Sequence, residues 1–282
     1  MRDIKKNKAF TLVELLVVIS IIALLLAVLM PALSRARQQG KSIVCRSNIK
    51  QLTLATRTYA VENKGKMMPF GETVGQIWYH LLAPYMGKKD APKGTSITNW
   101  KEAMPAVTCP EAMMSGKIES DGQHAHGSAK ESWSYLLSEG SYGLNYWLME
   151  VAPGTPLSAN VEKFTKVKPC YFEGSFDTQK GNIPLMGDCT WLGGWPGYIF
   201  NNAGVKVGST PRPITPSDLK KGFLDELGFG QQLGRFCIDR HAMAVNIGFI
   251  DGHVEKVPLA GLWGLKWNKL YVPESNYVLG TR

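Results

Sequence analysis

Residues 9–33 read AFTLVELLVVISIIALLLAVLMPAL. A short leader, residues 1–9 (MRDIKKNKA), precedes the run and sets Arg2, Lys5, Lys6 and Lys8 against Asp3. From Leu12 to Leu33 the chain is apolar apart from Glu14, Ser20 and Pro31. As an α-helix this stretch is about 33 Å long, enough to cross a bilayer core of roughly 30 Å. A secretory signal peptide shares the basic start, but its apolar core is only about 7–15 residues and ends in a small-residue cleavage site. This run is longer and no A-x-A site follows it, so cleavage behind it is not expected. Glu14 is its one charge. A carboxylate near the start of a membrane helix is costly and marks a function with a partner.

The chain has 282 residues and a net charge of +9. Without leader and helix roughly 220 residues remain, enough for one domain with its own core. The leader charge is a positive-inside signal, which puts the N-terminus in the cytoplasm and the bulk of the chain outside. The remaining basic residues are scattered without a run, so no nucleic acid is expected as a partner. An outside compartment is oxidising, and the five cysteines can pair there. Their odd number leaves at least one free. The cysteines Cys45, Cys109, Cys170, Cys189 and Cys237 form no C-x-x-C, which disfavours a zinc ribbon.

Helical spacing continues past the apolar run. Ile43, Val44, Ile49, Leu52, Ala55 and Tyr59 interleave with Arg35, Lys41, Arg46, Lys50 and Arg57, predicting one helix over Leu12 to Glu62. Gly65 and Pro69 close it. Trp78 to Met86 reads as a short helix stopped by Gly87. Cys170 to Phe176 and Ile183 to Asp188 read as strands. Thr210 to Pro216 is a surface loop and Leu219 to Leu227 a short helix. Val245 to Ile250 and His253 to Val257 flank Asp251-Gly252, which predicts a hairpin with a type I′ turn.

The N-terminal pattern resembles the class III signal of type IV prepilins and type II secretion pseudopilins: basic leader, Phe10, Glu14, apolar run and Pro31 agree in spacing. The resemblance implies that a prepilin peptidase cuts between Ala9 and Phe10 and that Phe10 becomes N-methylated. Glu14 is then fifth in the mature chain, where the family carries its glutamate, and Pro31 is twenty-second, where many members carry a helix-bending proline. The residue before the cut is normally Gly. Ala9, the smallest replacement, implies slower processing. The rest of the chain is similar to pseudopilin-like proteins with a C-terminal H-x9-DG motif: His241, nine residues, then Asp251-Gly252, followed by a W-x-L-x-W element. Val107-Thr108-Cys109-Pro110 resembles their Cys-Pro element. The resemblance suggests a disulfide between Cys45 and Cys109, and two separately buried thiols are the alternative.

His241 and Asp251 could share a metal or proton-transfer task, but at least six extended residues at about 3.3 Å each put them about 20 Å apart. The Asp-Gly turn, with His241 as a polar group at the strand start, is the favoured reading. Asp121, His124 and His126 could ligate zinc, yet a solvated loop explains them better. Asp177, Asp188, Asp218, Asp225, Glu226 and Asp239 are dispersed and form no D-x-D-x-D-G calcium loop. Trp191, Trp195 and Tyr198 could make a platform for sugar or a partner chain, although core packing is the commoner use. No G-x-S-x-G, Walker A, H-E-x-x-H or G-x-G-x-x-G motif is present. The chain reads as a peptidase's substrate and not as an enzyme, with no cofactor and no metal residue assigned.

The expected fold is α+β and pilin-like: a long N-terminal helix, transmembrane in its first half, packed on a mainly antiparallel β-sheet domain. The expected divisions are leader 1–9, helix 10–64 and periplasmic globular domain 65–282. The expected function is a pseudopilin-like subunit of the inner membrane, entering a type II secretion or type IV pilus-like fibre through Phe10, Glu14 and Pro31. Its partners would be the prepilin peptidase and other pseudopilins or secretion-system inner-membrane components. The alternative is a membrane-anchored periplasmic binding module that uses the signal only as an anchor.

Overall fold

A computed structural model describes residues 12–69, 77–87, 104–115, 124–135, 138–150, 171–172, 181–196, 198–201, 204–207, 219 and 233–273. The leader, Ala9, Phe10, Asp121, Cys170, Asp177, Asp218, Asp225, Glu226, the loop 210–216 and most of the helix expected at 219–227 lie outside these residues. The chain divides into two units, Met1–Gly40 and Lys41–Arg282.

Helix α1 runs from Leu12–Glu62 and contributes to both units. In the first, every described residue is exposed. The helix passes through Pro31, which has no N–H to donate to the carbonyl of Ala27. The Ser20 hydroxyl donates to the Val17 carbonyl at 2.8 Å, so this polar group is satisfied within the helix. In the second unit Ser42, Cys45, Ile49, Leu52, Thr53, Thr56 and Ala60 are buried, a stripe at three- and four-residue intervals. The helix ends in a Schellman arrangement. The Gly65 N–H donates to Ala60 O at 2.8 Å and the Lys64 N–H to Val61 O at 3.3 Å. Lys64 takes the left-handed position, φ 58°, and Gly65 follows it with φ 80°.

The stripe packs on a mainly antiparallel sheet. Its strands are β5 (Tyr142–Asn145), β6 (Pro184–Asp188), β7 (Gly193–Gly194), β10 (Ala244–Phe249) and β11 (Val254–Pro258), in the order β11-β10-β6-β5-β7. Only the β5–β7 contact is parallel. Strands β1 (Met114–Ser115), β2 (His124–Ala125), β3 (Glu131–Tyr135) and β4 (Ser138–Gly140) form a second sheet, and β8 (Tyr198–Asn201) pairs with β9 (Gly204–Val207). Helix α2, Trp78–Leu82, runs into a 3-10 turn that ends at Gly87 with φ 80°. The α+β, helix-plus-sheet architecture is the expected one. Tyr171 and Phe172, the described part of the strand expected at 170–176, are not in a strand.

Alternation along β10 sorts the core. On one face Asn246 Nδ2 donates to Ser42 O of α1 at 3.5 Å, and a Cβ on Gly248 would stand 2.8 Å from Ile49 Cγ2. The bare glycine lets helix and strand approach closely. On the other face Val245, Ile247 and Phe249 join Phe236, Leu259, Trp263 and Trp267 in a second apolar cluster. Basic residues of α1 clasp the hairpin end: Arg57 Nη1 donates to Ile250 O at 2.8 Å, and Lys50 Nζ to Gly252 O at 2.6 Å.

The hairpin itself differs from expectation in its turn. The Phe249 N–H donates to His253 O, and the Gly252 N–H donates back to Phe249 O, both at 2.9 Å. Three residues therefore form the loop, and of Asp251 and Gly252 only Gly252 has positive φ, 97°. This is the three-residue hairpin with glycine in the left-handed position, not a two-residue type I′ turn.

Candidate functional site

Two regions carry residues singled out in the sequence. The first is the start of α1. Glu14 lies in the first helical turn, where its negative charge suits the positive end of the helix dipole. The helix behind it is long and apolar enough to cross a membrane, and its residues 12–33 are all exposed. An exposed helix that is apolar on all sides suits lipid or neighbouring helices.

The second region is inside the globular unit. Cys45 of α1, Cys109, Asp188 at the end of β6 and His241 ahead of β10 converge there, their ligating atoms all within 4.8 Å of one another. The Cys45 thiol points at the Asp188 carboxylate, 3.5 Å from Oδ1 and 3.7 Å from Oδ2. His241 Nε2 stands 3.3 Å from Asp188 Oδ2 and 3.5 Å from Cys109 Sγ. Asp188 Oδ2 also accepts the Asn246 N–H at 2.7 Å. Its Oδ1 faces the fully buried guanidinium of Arg240 at 3.3 Å, which donates further to Ser141 O and Ser128 O.

The electrostatics follow from this crowding. Burial pushes the Asp188 carboxyl up, but the charges of His241 and Arg240 and the Asn246 N–H outweigh it and leave it below its ordinary value. Burial pulls His241 down, and the Asp188 carboxylate and Cys109 reverse that and raise it to about 9. Cys109 is pushed up by burial, yet hydrogen bonding with Cys45 and His241 and the charge of Arg240 bring it to about 6.

His241 is held by unusual backbone. Ala242 and Met243, directly after it, both have left-handed φ, 57° and 54°. Such residues are strained by about 1–2 kcal/mol each and persist only where their surroundings fix them. Here the Met243 N–H donates to Asp239 Oδ1 at 2.6 Å and the His241 N–H to Ala244 O at 3.0 Å.

The remaining sequence candidates fall elsewhere. His241 and Asp251 stand at opposite ends of β10 with different partners: Asp251 is exposed in the hairpin turn and pairs with His253. Cys45 and Cys109 stand as free, buried cysteines, the alternative to the disulfide that the resemblance suggests. One sulfur is directed to the Asp188 carboxylate and the other to the His241 ring. His126 stacks on Trp191 with ring centroids 4.3 Å apart, and Trp195 Nε1 donates to the Tyr171 hydroxyl at 2.9 Å. Both tryptophans thus pack within the domain. Asp188 appears in the sequence only as one of several scattered acids and Arg240 not at all. Cys45 and Asp188 are 143 positions apart, Cys109 and His241 132, so no local spacing announces the cluster.

Residues 4–30 match the prokaryotic N-terminal methylation motif, a type IV prepilin-like signal. No curated protein and no solved structure matches the chain.

Proposed function

We propose, on the premise that this chain is a precursor of the type IV pilin and pseudopilin kind, that it is a structural subunit of an envelope fibre of the type II secretion or type IV pilus class. The observation that carries the reading is the methylation motif leading directly into a helix whose apolar stretch is exposed on every side. A prepilin peptidase removes residues 1–9, and Phe10 acquires a methylated α-amino group. That cation and a carboxylate are each unfavourable in hydrocarbon, and pairing makes both tolerable. Glu14 of one subunit neutralises Phe10 of the next, which sets the axial step between helices. A heterologous contact that does not close on itself propagates as a filament. Pro31 gives the helix a place to bend within the bundle. The domain lies in the periplasm of a two-membrane bacterium, the leader in the cytoplasm, and the protein's role involves no catalysis.

The test is Glu14→Ala in the native host. A fibre subunit loses co-purification with other pseudopilins, by tenfold or more, while remaining in the membrane fraction. Unchanged co-purification overturns the proposal and favours a solitary membrane-anchored binding module.

A further inference from the structure

We propose that Cys45, Cys109, Asp188 and His241 form a structural zinc site inside the globular unit. The site's dimensions are the first argument. Zinc bonds of about 2.3 Å to sulfur and about 2.0–2.2 Å to nitrogen and oxygen, arranged tetrahedrally, set ligand atoms about 3.5 Å apart for sulfur to nitrogen, about 3.3 Å for nitrogen to oxygen and about 3.5–3.6 Å for sulfur to oxygen. The corresponding separations are 3.5 Å for Cys109 Sγ to His241 Nε2, 3.3 Å for His241 Nε2 to Asp188 Oδ2 and 3.7 Å for Cys45 Sγ to Asp188 Oδ2. Three edges of a zinc tetrahedron are thus matched by side chains from remote parts of the chain, and all four ligand atoms lie within 4.8 Å of one another.

Charge is the second argument. Binding Zn²⁺ releases two protons, that of the Cys45 thiol and the one held between Cys109 and His241. Two thiolates and the Asp188 carboxylate then face one divalent cation and the Arg240 guanidinium, with His241 neutral, and the buried ensemble has no net charge. Burying these groups is costly unless they are paired or bound to a metal. The surroundings suit a bound ion as well. The Glu111 N–H is directed at Cys109 Sγ at 3.5 Å, a donor to a thiolate. Arg240 and the Asn246 N–H orient the carboxylate from behind. The Tyr142 hydroxyl is buried beside the Cys45 sulfur. Among the described residues His241 Nδ1 has no hydrogen-bond partner.

The donor set selects the metal. Two thiolates, an imidazole and one carboxylate oxygen at tetrahedral spacing suit zinc and not the hard cations calcium or magnesium. Four protein ligands, all buried, leave no open position for substrate, so the site is structural and not catalytic. It would clamp the second half of α1 to the end of β6 and to the segment before β10.

The full chain, purified in detergent without chelator from zinc-replete cells, is analysed for metal by mass spectrometry alongside intact mass. The expected result is one zinc per chain, falling at least tenfold in Cys109→Ser and Cys45→Ser and unchanged in Cys237→Ala, whose thiol lies in the other core cluster. Should the ligand variants fail to fold, the wild-type protein still decides. Stripped by chelator under reducing conditions and given Co²⁺, it should show sulfur-to-cobalt charge-transfer absorption and the visible bands of tetrahedral cobalt. Wild-type protein with no more zinc than Cys109→Ser overturns the site. So does a Cys45–Cys109 disulfide in the isolated protein together with no cobalt–thiolate absorption after reduction.

Discussion

The two halves of α1 share one continuous backbone and meet different surroundings. Over residues 12–33 every side chain is exposed and nearly all are apolar. Over residues 42–60 the buried positions recur at three and four, with Arg46, Lys50 and Arg57 on the flanks donating to carbonyls of the β10–β11 hairpin. The first pattern belongs to a helix solvated by lipid or by other helices, and the second to a helix with one protein face. One element can therefore carry two functions because the period of its sequence changes along its length.

That difference can be broken at single residues. The eight tryptophans all follow Ile77, so their fluorescence during urea unfolding of the full chain in detergent reports on the globular unit alone. Leu52→Ala, at a fully buried position of the second half, should destabilise that unit by about 2–5 kcal/mol. Gly248→Val should cost about 1–3 kcal/mol, because the added side chain meets Ile49 and Thr53 of the helix. A smaller effect should appear with acid. Burial lowers His80 to about 4, below its unfolded value of about 6.5, so its neutral form contributes stability above pH 6.5 that is lost as the pH falls toward 4. The unfolding midpoint should drop across that window, and His80→Gln should flatten the drop. The smallest effect belongs to the first half: Ile22→Ala should leave the fluorescence midpoint within about 0.5 kcal/mol of wild type. An Ile22→Ala loss as large as that of Leu52→Ala would erase the distinction between the halves.

What could be read in advance depended on how local the signal was. The apolar run, the buried stripe of α1 and the strands at β6, β10 and β11 follow from short-range signals and stand within a residue of where those signals place them; β5 follows from resemblance. The hairpin was legible but its turn was not, because Asp-Gly suits both a two-residue and a three-residue loop. Hydrogen bonding between Phe249 and His253 selects the longer one. The buried cluster was opaque for a different reason. His241 reads as a polar group at a strand start, and only the return of the chain along β6 brings Asp188 to it. Cys45 and Cys109 were legible as neighbours through resemblance alone, and resemblance suggested a covalent bond where the structure has two thiols beside a carboxylate and an imidazole.

On the proposed function, the exposed apolar half of α1 is the mature N-terminus of a fibre subunit. The most direct test is the intact mass of the full protein extracted from membranes of the bacterium that encodes it. The expected chain begins at Phe10 and carries one added methyl group. A chain that keeps Met1 and its leader would contradict it.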